Sequence, residues 1–251
     1  MRSRVFVAGA AGAIGMRLSR LLVVQQYQVT GTTRSKERAE ELRKIGVEPV
    51  LVDVFDAAAL AECVAAAQPD VVIHQLTDLS GGLDEAHVKE TLMRNAHIRR
   101  EGTANLIRAA LRAGAGRLVA QSIAWMYCQG KPPYRESDPL LCGPEGNRAI
   151  SLAGVKALET QVLNTRGLEG VVLRYGALYG PGTANAKPQG SSAVHADAAA
   201  YAAMLAAERG TPGIYNIAEP GGEVDSAKAQ RELGWSADFR LEADAVKAKA
   251  C

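Results

Sequence analysis

The sequence predicts an α/β fold built on a doubly wound parallel sheet, on three observations. Short β-branched runs alternate with longer stretches rich in Ala, Leu, Arg and Glu. The short runs are continuously apolar instead of alternating, which marks strands covered on both faces. A glycine-spaced turn joins the first of these runs to the first helical stretch.

Residues 5–8 read as the first strand, and Gly9-Ala10-Ala11-Gly12-Ala13-Ile14-Gly15 as the turn after it. Leu18, Leu21 and Leu22 then recur at helical spacing. Residues 28–33 form the second strand, 36–44 a helix, 49–52 the third strand and 57–67 a helix. Residues 71–74 are the fourth strand, 102–110 a helix, 117–121 the fifth strand and 171–174 the sixth. Two stretches break the rhythm with Gly and Pro, 129–148 and 180–192. Both follow strands and are expected at the carboxyl edge of the sheet, where such folds bind ligands. The chain is expected to be a single domain, 1–251. Residues 1–176 make mainly a dinucleotide-binding core and 177–251 mainly a small substrate-side part.

A chain of 251 residues, 47% hydrophobic and 22% charged, can bury a core of this kind. A net charge of +2 is too small to argue for nucleic acid, and no basic run with interleaved aromatics occurs. Arg2 and Arg4 precede an apolar stretch, but 5–8 is too short for the apolar part of a signal peptide. No run approaches the roughly 20 apolar residues of a membrane span, so no membrane partner is expected. Cys63, Cys128, Cys142 and Cys251 are scattered, with no C-x-x-C pair. That usage suits a reducing compartment, without disulfide or zinc, and a cytoplasmic location is expected.

The glycine turn has the spacing G-x-x-G-x-x-G between a strand and a helix. Gly9, Gly12 and Gly15 serve a tight turn, close approach to a pyrophosphate and close helix–strand packing. Ala13 and Ile14 open the helix, whose unpaired N–H groups and dipole favour phosphate. The second strand ends Thr32-Thr33-Arg34-Ser35, with no acid to take ribose hydroxyls. Arg34 can pair with a 2′-phosphate and Ser35 can add a hydrogen bond, so NADP (NADPH) is the expected cofactor. Asp53, followed by Val54, is placed to accept from the adenine amino group or to cap its own turn. Gln75, Leu76 and Thr77, after the fourth strand, are expected to line the cofactor.

Further blocks follow in order: Val72-Ile73-His74, Gly102-Thr103-Ala104-Asn105-Leu106, Leu173-Arg174-Tyr175-Gly176, Tyr179-Gly180-Pro181-Gly182, Tyr215-Asn216-Ile217 and Glu232-Leu233-Gly234-Trp235. Together with the glycine turn they resemble the extended short-chain dehydrogenase/reductases, the NAD-dependent epimerase/dehydratase group with a Rossmann-type fold. That family uses a Ser or Thr hydroxyl and a Tyr-x-x-x-Lys pair. By resemblance the lysine is Lys156, expected to hold the nicotinamide ribose, while the tyrosine position is Leu152. The hydroxyl position falls on Ile123, and a shift of one residue would restore Ser122. Arg99 stands where the family has an asparagine, and the backbone after Tyr175 is expected to fix the nicotinamide carboxamide. The pattern is similar to atypical ketoreductases of natural products.

The expected function is an NADPH-dependent reductase of a small-molecule ketone or aldehyde, with aromatic and polycyclic compounds among the substrates. Lys156, Ser122 and Tyr127 are the catalytic candidates. Cys128, His74, Gln121, Tyr179, water and the substrate's own acidic hydroxyl are further proton sources. A pocket lined by Trp125, Met126, Tyr127 and Tyr179 would suit a flat ligand. Two alternatives stand beside it: an NADP(H)-binding scaffold or redox sensor without catalysis, and a sugar-nucleotide epimerase or dehydratase. The short segment between Gly182 and Ala193 speaks against the last. A monomer or homodimer is expected.

Overall fold

Strand residues of alternating parity feed two separate cores, one on each face of the central sheet. In β1 (Arg4–Ala8), Val5 and Val7 join one core while Phe6 and Ala8 join the other. This is why the strand reads as one unbroken apolar run. The computed structural model describes residues 3–78 and 86–241; Arg2 and Cys251 lie outside the described residues.

The sheet has seven strands in the order β3 (Glu48–Leu51), β2 (Gln28–Thr33), β1, β4 (Val71–His74), β5 (Arg117–Ile123), β6 (Glu169–Tyr175) and β9 (Gly213–Ile217). Every pairing in it is parallel. The chain winds outward from β1 through β3, then returns to the far side of β1 at β4. That reversal opens a crevice at the carboxyl ends of β1 and β4.

On one face lie α1 (Ala13–Val24) and α7 (Ala196–Ala206). The buried alanines of α7, among them Ala199, Ala202 and Ala203, let it approach α1 closely. The other face carries α3 (Ala57–Ala67), α4 (Val88–His97), α5 (Thr103–Arg112) and α6 (Gly146–Asn164). A π-helical turn, Ile98–Gly102, joins α4 to α5 without a break. A β-carbon on Gly154 of α6 would lie 2.9 Å from Ala96 Cα, so glycine lets α6 sit directly on α4. The shorter α2 (Lys36–Lys44) and α8 (Ala227–Leu233) complete the helices among the described residues. None of these helices is long and apolar enough to cross a membrane.

Some expectations shift. The third strand spans 48–51 instead of 49–52, with Glu48 paired to Thr30. The fifth and sixth strands run on to Ile123 and Tyr175, because Ser122 and Arg174 find polar partners inside the protein. The irregular stretch 129–148 ends early, since α6 begins at Gly146. β7 (Ala177–Tyr179) and β8 (Ala193–His195) pair in parallel and bracket the stretch 180–192. Beyond residue 176 the chain also returns to the main sheet, where β9 pairs with β6.

Candidate active site

The three turn glycines differ in what holds them there. Gly9 has φ +86°, and a β-carbon on it would lie 2.9 Å from the Gln75 backbone. A β-carbon on Gly15 would lie 2.0 Å from the Gly9 carbonyl oxygen. Both are demanded by the fold itself. Gly12 has φ −76°, and a β-carbon there would meet only the Gly9 oxygen, at 3.4 Å. Among the described residues no group makes glycine necessary at position 12, so the space beside it suits a ligand. Gly12 caps α1 without a side-chain hydrogen bond, leaving the first turn, Ala13 and Ile14, open to an anion.

Gly9, Thr32, Thr33, Arg34, Asp53, Val54, Leu76 and Thr77 line one cavity of about 150 Å³ at this crevice. The cofactor candidates of four different strand ends therefore meet. Arg34 is exposed at its rim. Ser35 is otherwise engaged: its hydroxyl donates to Glu37 (2.6 Å) and accepts from the Arg38 amide, capping α2. In this arrangement Ser35 serves as the N-cap of α2. Asp53 accepts from the Phe55 amide at 2.9 Å, so it caps its turn while also facing the cavity. Sequence reasoning missed Arg38, whose guanidinium approaches the Ala11 carbonyl of the glycine turn at 3.5 Å. Its i, i+3 spacing from the N-cap Ser35 was the available signal.

Gln75 is buried, donates weakly to the Tyr175 hydroxyl (3.4 Å), and keeps a buried Oε1 without a partner among the described residues. Tyr175 is buried too, which raises its phenol far above the ordinary range. The backbone after it is occupied: the Gly176 amide donates to Ile217 and the Ala177 amide to Ser192. Neither amide is free for a carboxamide in this arrangement. His74 is fully buried between the Leu76 amide and the Thr103 hydroxyl. Burial lowers its pKa to about 4, so it is a neutral structural imidazole at ordinary pH.

Leu152 is buried in α6, and Lys156 lies exposed one turn later. Nearby, Glu159 of α6 binds Arg174 of β6 through both carboxylate oxygens, at 2.6 and 2.9 Å. Ser122 donates to Glu159 (2.7 Å). Tyr127 accepts from Arg174 (2.9 Å) and donates to Asn216 (2.6 Å). Burial pushes the Tyr127 phenol above its usual range despite Arg174, making it a poorer acid. The hydroxyls of both catalytic candidates therefore serve a buried charged network. Arg99, on the π turn, has no hydrogen-bond or ion-pair partner for its guanidinium among the described residues. Its pKa falls to about 10 because of burial, with Glu159 pulling the other way.

A second cavity, about 320 Å³, opens where the chain leaves β5 and β6. Trp125, Tyr127, Tyr134, Leu141, Arg148 and Ser192 line it. Two expected wall residues are absent. Met126 turns into the interior, 1% exposed, as its neighbours face the cavity. Tyr179 instead donates to Glu219 (2.6 Å), accepts from Arg240 and stacks edge-on against His195. Cys128 and Cys142, read as scattered, lie with sulfurs 3.6 Å apart at the same edge.

Comparison with known proteins agrees with this arrangement. The model of the NAD dependent epimerase/dehydratase family matches residues 5–239. A 3-diazoavenalumate denitrifying reductase from a Streptomyces species is 36% identical, over 95% of this chain and 90% of that protein. A 4-hydroxy-2-methyl-3-oxo-4-farnesyl-3,4-dihydroquinoline-1-oxide ketoreductase from Stigmatella aurantiaca is 27% identical, over 88% of this chain and 66% of that protein. The crystal structure of a UDP-glucose 4-epimerase from Thermotoga maritima superposes with a TM-score of 0.76 at 17% identity, over 94% of each chain, which speaks for the fold. With its seven parallel strands, its glycine turn and reductases among its relatives, the chain is an oxidoreductase-type enzyme that belongs to the NAD dependent epimerase/dehydratase family.

Proposed function

We propose that this protein is an NADPH-dependent reductase whose reaction takes no proton from an enzyme phenol. The observation that carries the reading is the replacement of the family's acid by buried Leu152, with Ser122 and Tyr127 tied into the Arg174–Glu159 network. The nicotinamide, when bound, supplies a hydride. Gly9, Gly12, Ala13, Ile14 and Gly15 would hold its pyrophosphate, Asp53 and Val54 the adenine, and Gln75, Leu76 and Thr77 the near ribose side. Lys156 would hold the nicotinamide ribose. Trp125 and Tyr127 offer flat apolar surface to the substrate.

An aryl ketone or quinone fits where its own acidic hydroxyl or water supplies the proton. A diazoarene is the second reading, favoured by the denitrifying reductase among the relatives. Replacing a diazonium group by hydrogen releases dinitrogen and consumes hydride alone, so no acid is needed. Under either reading Tyr127→Phe and Ser122→Ala should each lower turnover less than tenfold. A positioned general acid contributes roughly 10²–10⁴-fold, so a larger loss with cofactor binding intact would identify a proton donor. Steady-state rates with NADPH and a panel of both substrate classes make the comparison.

Arg34 supports NADPH over NADH, since a guanidinium stands where an acid would take the ribose hydroxyls. NADPH is expected to bind at least about tenfold tighter, or about 1.4 kcal/mol. Arg34→Ala should remove most of that difference and leave NADH affinity nearly unchanged. Calorimetric titration measures both, and equal affinities in the unmutated protein would reject the assignment.

A further inference from the structure

We propose that Cys128 and Cys142 form a redox-active dithiol, which a hydroperoxide oxidises to an intramolecular disulfide at the edge of the second cavity. The two segments that carry them are already joined as an antiparallel pair. The Cys128 amide donates to the Pro139 carbonyl and the Leu141 amide to the Met126 carbonyl, each at 2.8 Å. Tyr127 and Leu140 form the bridge between them. This pairing holds the Cys128 backbone, Cys142 follows Leu141 directly, and the two sulfurs lie 3.6 Å apart. Both thiols also point at one acceptor, the Leu140 carbonyl, at 3.2 and 3.7 Å. The sulfurs have to close from 3.6 Å to a bond of about 2.05 Å.

The surroundings select this pair over the other described cysteine. Cys142 is exposed and reachable from solvent. The hydrogen bond between the two thiols pushes the Cys128 thiol up, with Lys156 pulling the other way, and ties the two sulfurs to each other. Cys63 is pushed up first by burial and then by Glu62 and Asp56, and it contacts no other thiol among the described residues. The chemistry balances with peroxide as the oxidant. The Cys142 sulfur attacks a peroxide oxygen, the O–O bond breaks, and a sulfenic acid and one water result. Cys128 then attacks that sulfur, forming the S–S bond and expelling a second water. Two electrons pass from the thiol pair to the peroxide. The bond would pin together the two segments whose Tyr127 and Leu141 line the cavity.

The test is independent of which substrate the protein reduces. The purified protein is treated with equimolar hydrogen peroxide, and its thiols are titrated and its peptides mapped without reductant. The expected result is a fall from four titratable thiols to two, a peptide pair linked through Cys128 and Cys142, and full recovery with dithiothreitol. Cys128→Ser should abolish the linked pair and leave Cys142 as a sulfenic acid that dimedone traps. The proposal is overturned if Cys128 and Cys142 stay reduced while Cys63 oxidises. Separate sulfinic acids, or links only between chains, would also overturn it. The unmutated protein decides the question even if the variant fails to fold.

Discussion

Gly12→Val is expected to weaken NADP binding by roughly a hundredfold or more, about 2.8 kcal/mol, without unfolding the protein. A β-carbon at this position meets only the Gly9 oxygen, at 3.4 Å, so the added methyls project into the space left for the pyrophosphate. The backbone there, φ −76° and ψ 177°, accepts any residue. Gly15→Val makes the contrast, because its β-carbon would sit 2.0 Å from the Gly9 oxygen and force α1 off β1. Calorimetric titration with NADP, beside a thermal melt, separates the two variants. Gly12→Val should lose binding and keep its melt, while Gly15→Val should lose both. Undiminished binding in Gly12→Val would mean that the phosphates sit elsewhere.

Glu159→Ala is expected to destabilise the fold by about 3–5 kcal/mol, because it strands a buried guanidinium. Arg174 and Glu159 are 4% and 7% exposed in their side chains, so solvent screens the pair little. The substitution also takes the acceptor from the Ser122 hydroxyl. Replacing both partners with apolar residues of similar volume, Glu159→Leu with Arg174→Met, should be milder, since the Arg174 guanidinium is no longer stranded. Urea unfolding of the single and double variants reads the difference. A loss below about 1 kcal/mol in Glu159→Ala would mean that water reaches Arg174 and that the network is not a structural element.

The sheet was legible where its strands bury both faces, so β1, β4 and β6 carry continuous apolar runs in the sequence. The crevice at the ends of β1 to β4 was legible for a related reason: Gly9, Thr33, Arg34, Asp53 and Leu76 sit in short turns directly after strands, where spacing alone locates them. The charged network was not. It joins Ser122, Tyr127, Glu159, Arg174 and Asn216 from separate elements, and no local period marks such partners. Tyr127 thus read as a free phenol, although its hydrogen is committed to Asn216. Cys128 and Cys142 read as isolated because an antiparallel pairing inside a Pro- and Gly-rich stretch leaves no repeating pattern.

Hydride transfer without an enzyme phenol is tested most directly with NADPH carrying deuterium at the transferring position of the nicotinamide. The protein is incubated with aryl ketones, quinones and diazoarenes, and cofactor oxidation and product mass are followed together. The account predicts NADPH oxidation in step with product, one carbon-bound deuterium in the alcohol or arene formed from a ketone or diazoarene, and the same outcome at comparable rate in Tyr127→Phe and Ser122→Ala. Bound NADPH that no member of the panel oxidises would contradict it, and would leave a protein that holds the dinucleotide without using it.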